Sequence, residues 1–211
     1  MLPDSATFVT FAIAVLVIAI TPGPDMTLFV GRALSEGRAA GLACMAGAMT
    51  GILIHTAMVS LGLSALIVAS PEAFTALKVA GAAYLVWLAY QAIRHGSAFR
   101  PDTAARERRP LFRHWATGLG INLLNPKIIL FFMTFLPQFV SASDPDAPGK
   151  LFVLGLLFIP LSLPVTVPMV LAADGFSRLL RARPAVTRAI DWLFAGVFAA
   201  FAVRILLTDT R

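Results

Sequence analysis

The stretch Thr21-Pro22-Gly23-Pro24-Asp25 decides how the chain is read. It lies inside an apolar run, roughly Thr7 to Val30, that otherwise has the length of a membrane-spanning helix. Each proline lacks a backbone donor and clashes with the preceding turn. Thr21 and Gly23, each standing before a proline, are pushed away from helical geometry. A helix broken within lipid survives only where protein or a water-filled cavity receives the freed backbone groups. A second apolar run, about Trp115 to Val140, is interrupted by Asn125-Pro126-Lys127. Superposing Pro24 on Pro126 places Asp25 on Lys127, and Leu28-Phe29 on Leu130-Phe131. Two broken spans at matching places in two halves point to a transporter's binding site.

Working outward, the composition agrees. Of 211 residues, 58% are hydrophobic and 13% charged, against about 25% charged in an ordinary globular domain. Four further apolar runs flank or separate the broken ones: about Ala39–Ala69, Phe74–Ile93, Leu151–Ala173 and Ala189–Leu207. The expected fold is an all-α polytopic membrane protein with six transmembrane helices, of which the first and fourth are broken. The apolar N-terminal stretch continues past Ala19, and no Lys or Arg precedes it, so it is expected to remain as the first span. Pro160, Pro164 and Pro168 predict a bend in the fifth.

The net charge of +6 reflects the loops rather than a nucleic-acid partner. Twelve of the 17 basic residues fall in alternate loops: Arg32 and Arg38, then six from Arg94 to Arg113, then four from Arg178 to Arg188. This asymmetry places those loops in the cytoplasm and both termini outside. Three spans per half then makes two inverted repeats, about 1–95 and 113–211, joined by a cytoplasmic linker at 96–112 within one transporter domain. The linker's Arg106-Glu107-Arg108-Arg109 run reads as a solvated loop with anionic lipid as a weaker reading. Cys44 is the single cysteine, and the three histidines are scattered, so no disulfide framework, metal site or cofactor is expected. Gly37-x-x-x-Gly41 and Gly47-x-x-x-Gly51 have close-packing spacing. It favours packing within the monomer and leaves a homo-oligomer open.

Asn125 suits an N-cap and Pro126 the first helical position. Half-helices should therefore start at Pro126 and at Pro24, presenting free N–H groups and partial positive charge. Asp25 fits that field and Lys127 opposes it, so something else must hold the lysine. Two readings stand: an ion pair locking the halves together, or groups that flank a substrate's ammonium and carboxylate or carry a proton. Intramembrane charges are functional candidates by default. The candidate site is Pro22, Gly23, Pro24, Asp25, Asn125, Pro126 and Lys127. His55, Lys78 and Tyr84 are secondary candidates, and each has a plainer reading. His55 would bridge two helices rather than relay protons, Lys78 would snorkel to the interface, and Tyr84 would pack rather than stack on a ligand. Asp174, Asp191 and Arg204, near span ends, read as interfacial.

Together these motifs resemble the LysE/RhtB family of bacterial amino-acid exporters over nearly the whole chain. The resemblance rests on Thr21-Pro22-Gly23-Pro24-Asp25, the glycines at 37, 41, 47 and 51, and Lys78-x-x-Gly81-Ala82-x-Tyr84-Leu85. It continues through Gly118, Asn122-Leu123-Leu124-Asn125-Pro126-Lys127, Phe131-Phe132 and Pro137-Gln138-Phe139. Ala89 stands where glycine is expected, a small exchange that still allows close packing. The resemblance implies an inner-membrane exporter of amino acids or related small zwitterions, driven by the proton-motive force, and does not choose the substrate. An ion or metal exporter of a related fold would want several acids or histidines in the spans. A membrane enzyme would want a nucleophile–base pair, and neither set is found.

Overall fold

The computed structural model describes residues 5–70, 109–140 and 144–207, with scattered positions between 76 and 94. Lys78 and Tyr84, most of the expected third span and most of the linker at 96–112 lie outside the described residues. Within them the protein is helical, with no strand.

The first broken span is α1 (Ser5–Ile20) followed by α2 (Pro24–Ser35), bent by 51°. Then comes α3 (Arg38–Ala69). The second broken span is α4 (Leu111–Leu123) followed by α5 (Pro126–Leu130), the two limbs bent by 52°. The second limb runs on through a π-helical turn, Phe131–Phe135, and a 3-10 turn, Leu136–Phe139. α6 (Ala147–Leu171), α7 (Ala173–Ala182) and α8 (Pro184–Leu207) complete the described helices. Among the described residues, α3 and α6 are each long and apolar enough to cross a membrane, and each bent pair adds one more span if it crosses as a unit. At 24 residues, α8 is nearly as long as α6.

α3 is the central post, packed against α2, α4 and α6. Its glycines make this possible. A Cβ at Gly47 would strike the Trp115 carbonyl, and one at Gly118 would strike the Cys44 carbonyl, so the α3 and α4 backbones nearly touch. Gly51 clears the Asn122 side chain, and Gly155 of α6 clears Thr56. The close-packing spacing is thus used inside the monomer. Gly37 differs: a Cβ there would meet nothing, but its φ of +98° suits only glycine and turns the chain from α2 into α3.

The prolines of α6 do not divide it. Pro160, Pro164 and Pro168 recur every four residues on one exposed face, leaving Phe158, Ser162, Thr166 and Met169 buried on the other. The stretch after α6 is a helix rather than the loop that a reading by charge suggests. In α7, Ala173, Phe176, Ser177 and Leu180 turn inward at helical spacing, while Asp174 and Arg178 pair on the exposed face at 3.1 Å. Asp191, near the start of α8, is buried against the neighbouring helices, 3% exposed.

Among the described residues, two apolar clusters fill the interior. One is aromatic, with Phe11, Phe131, Phe132, Phe135 and Phe158. The other is built of smaller and softer groups, including Met26, Val30, Cys44, Met45 and Met169. They meet at the level of the helix breaks, and there a cavity lies.

Candidate functional site

Both half-helices start where the prolines place them. At the second break Asn125 is extended, and its side-chain oxygen accepts the Lys127 backbone N–H at 3.1 Å. At the first break Gly23 is extended, with no side-chain cap, and its carbonyl accepts the Thr27 N–H at 2.9 Å. Pro22 is buried, whereas Pro24 and Pro126 face outward.

The charged side chains then cross from one break to the other. Lys127 Nζ donates to the carbonyls of Ile18, at 3.1 Å, and Thr21, at 2.9 Å. Ile18 is in the last turn of α1 and Thr21 follows its last residue, where carbonyls lack a partner within the helix and carry the negative end of its dipole. The lysine that is misplaced at the start of α5 is therefore well placed at the end of α1. The Thr21 hydroxyl donates to the Val17 carbonyl at 2.6 Å, which also accepts the Thr21 backbone N–H at 3.1 Å. Gly23 is the residue that lets the lysine in, since a Cβ there would stand 3.0 Å from Lys127 Nζ.

Asp25 makes the reciprocal crossing. Its Oδ2 accepts from Asn122 Nδ2 at 2.8 Å, in the last turn of α4. A carboxylate would be repelled by bare C-terminal carbonyls, and the amide of Asn122 turns a donor toward it instead. No ion pair within 4 Å is formed between Asp25 and Lys127 among the described residues. The direct clasp that the sequence allowed is replaced by two crossings through neighbouring groups.

Asn122 was not among the candidates read from the sequence. It is 2% exposed and held from α3, where Gly51 makes room for its side chain and His55 Nε2 lies 3.4 Å from its carbonyl. His55 has the helix-bridging place expected of it, packed beside the Phe132 ring. A polar residue three positions before Asn125, on the same helical face, was the available signal. The repeat comparison hides it, because the position equivalent to Asn122 in the first half is Ile20.

Asp25, Asn122 and Lys127 line a cavity of about 40 Å³ together with Met26, Ile52, Phe158 and their apolar neighbours. Ser162 and Thr166 reach it from α6. Several buried polar atoms at this level have no hydrogen-bond partner: Asp25 Oδ1, Asn122 Oδ1 and Asn125 Nδ2. Buried polar atoms are ordinarily paired, so such a group is a place where a ligand can bind.

At their other ends the same helices are tied by Glu36. It pairs with Arg32 in α2, and His114 Nε2 of α4 lies 3.1 Å from it. Burial pushes the Glu36 carboxyl up, but bonds from Arg32, the nearby His114 and the Arg109 backbone outweigh it and hold the group below the usual range.

The family model for the LysE type translocator matches residues 16–209. The chain belongs to this family. As a LysE type translocator it is a membrane transporter and not an enzyme. It is 30% identical over 183 residues to a homoserine/homoserine lactone efflux protein of Salmonella typhimurium, covering 86% of each chain. A threonine efflux protein of the same organism is 27% identical over 205 residues, covering 95% of this translocator and 98% of the relative. A leucine efflux protein of Klebsiella pneumoniae is 24% identical over 198 residues, covering 94% and 93%. No solved structure matches the translocator.

Proposed function

We propose that this protein exports amino acids or closely related small zwitterions across the bacterial inner membrane, in exchange for protons. The observation that carries this reading is the cavity between the two breaks, where one acid and one base stand with unpaired polar atoms beside them. A zwitterion brings an ammonium for Asp25 and a carboxylate for Lys127 and the half-helix N-termini. Asp25 is the one acid among the described residues that line the cavity, so it is also the group to take up a proton when substrate leaves. The efflux proteins it resembles handle amino acids and a lactone, in keeping with that chemistry. The similar bends of the two broken spans support two inverted repeats, about 1–95 and 113–211, of three spans each, and the basic residues of alternate loops support the 96–112 linker inside and both termini outside.

The test is counterflow in proteoliposomes under an imposed pH gradient. An α-amino acid should exchange, move protons with it, and be competed poorly by its decarboxylated amine. Equal competition by the amine would remove the carboxylate from recognition. Exchange of divalent metal ions in place of amino acids would replace the reading with an ion exporter.

A further inference from the structure

Among the described residues the cavity carries two charges, Asp25 and Lys127, and the head group of a zwitterion uses both. On the exporter reading, the ammonium takes Asp25 Oδ1 and Asn122 Oδ1, two acceptors that have no partner. The Asn122 amide cannot be reversed to offer its nitrogen, because that nitrogen already donates to Asp25 Oδ2. The carboxylate takes the third N–H of Lys127, whose other two serve Ile18 and Thr21. Among the described residues, no further charged side chain lines the cavity.

What remains is apolar and soft. Met26, Met49 and Met169 line the wall with Ile52 and Phe158. Ser162 and Thr166 add hydroxyls, but these already donate to the carbonyls of Ile159 and Ser162 in their own helix. A water needs about 10–15 Å³ of such space, so 40 Å³ holds a group of head-group size and leaves no standing room for a side chain. Methionine has three rotatable bonds and a polarisable sulfur, so a methionine wall can yield to differently shaped apolar groups. A second charge entering that wall would find no counter-charge among the described residues and would keep its full desolvation cost.

We infer that Asn122 completes the head-group site and that Met26, Met49 and Met169 form a yielding side-chain subsite, so that the protein takes neutral α-amino acids with apolar side chains and rejects basic and acidic ones. This rests on the exporter reading, and the experiment separates the two.

Purified protein in proteoliposomes is assayed by counterflow of leucine, methionine, phenylalanine, lysine and glutamate. Leucine and methionine should exchange about tenfold or more faster than lysine and glutamate at equal concentration. Met49→Ala with Met169→Ala should raise the ratio of phenylalanine to leucine by about tenfold, because the wall is opened. Asn122→Ala should raise KM for every exchanged amino acid with their rank order kept. Its thermal melt in detergent shows whether the variant is folded, and the methionine variants test the subsite without it. Lysine or glutamate exchanging as fast as leucine would overturn the inference and leave an amino-acid exporter standing. So would an unchanged phenylalanine ratio in the methionine variant. Exchange of no amino acid at all would overturn the exporter reading and this inference with it.

Discussion

The two helix breaks share a backbone design and differ in nearly everything else. Each starts a half-helix on a proline, and each bends its span by about 50°. The second is capped by its own asparagine and carries a lysine. The first has no side-chain cap and carries an aspartate. The difference follows from the crossings. Lys127 lies against the first break, so a glycine there leaves it room that a side chain would crowd. Asp25 needs a donor at the second, so Asn122 stands one turn before the cap. Each break is shaped by what the other sends into it.

The largest effect should come from separating the two charges. Lys127→Met strands the Ile18 and Thr21 carbonyls, at about 1–3 kcal/mol for each one left unsatisfied. It should lower both membrane abundance and melting temperature and abolish exchange. Asp25→Asn keeps an oxygen for Asn122 Nδ2, so it should fold nearly normally and still not exchange. Combining them should not rescue the fold, because the carbonyls stay stranded. Recovery in the double variant, read as abundance and melting temperature, would mean that the two charges do stabilise one another directly.

A smaller effect distinguishes the caps. Asn125→Ala removes the bond to the Lys127 N–H and should cost about 1 kcal/mol, whereas Asn125→Gly should cost a few tenths. Gly23→Ala has no cap to lose but pushes a methyl against the Lys127 ammonium. It should therefore slow exchange out of proportion to its loss of stability. Equal loss of rate and stability at both positions, in parallel melts and counterflow, would make the breaks equivalent after all.

The smallest effect lies at the far ends of the same helices. The Glu36 carboxyl is held below its usual range, so its contribution is complete above the ordinary glutamate pKa of about 4.3. It is lost as pH falls through the lowered value. Glu36→Gln should melt below the parent at neutral pH, and the two should converge in acid. Melting curves that keep a constant separation across pH would show that the α2–α4 tie is not electrostatic.

The amino-acid sequence by itself determined where the helices start and stop around the breaks. Proline's missing donor and asparagine's capping oxygen act within a few residues, so Pro24, Asn125 and Pro126 are legible one at a time. It also showed the glycines of α3 as packing positions, because their spacing is local. The helix Ala173–Ala182 was equally present in the pattern of Phe176 and Leu180, and was obscured by attention to its arginines. Which groups receive Asp25 and Lys127 only the tertiary structure decided. The lysine's acceptors lie 106 and 109 residues away, and the aspartate's donor 97. Setting one break on the other in the sequence pairs Asp25 with Lys127, and both do line one cavity, but such an alignment pairs equivalent positions, and Asn122 has no polar equivalent. A carbonyl at a helix end is a partner that every sequence contains and none displays. It becomes a site for a cation only when packing brings a particular lysine against it.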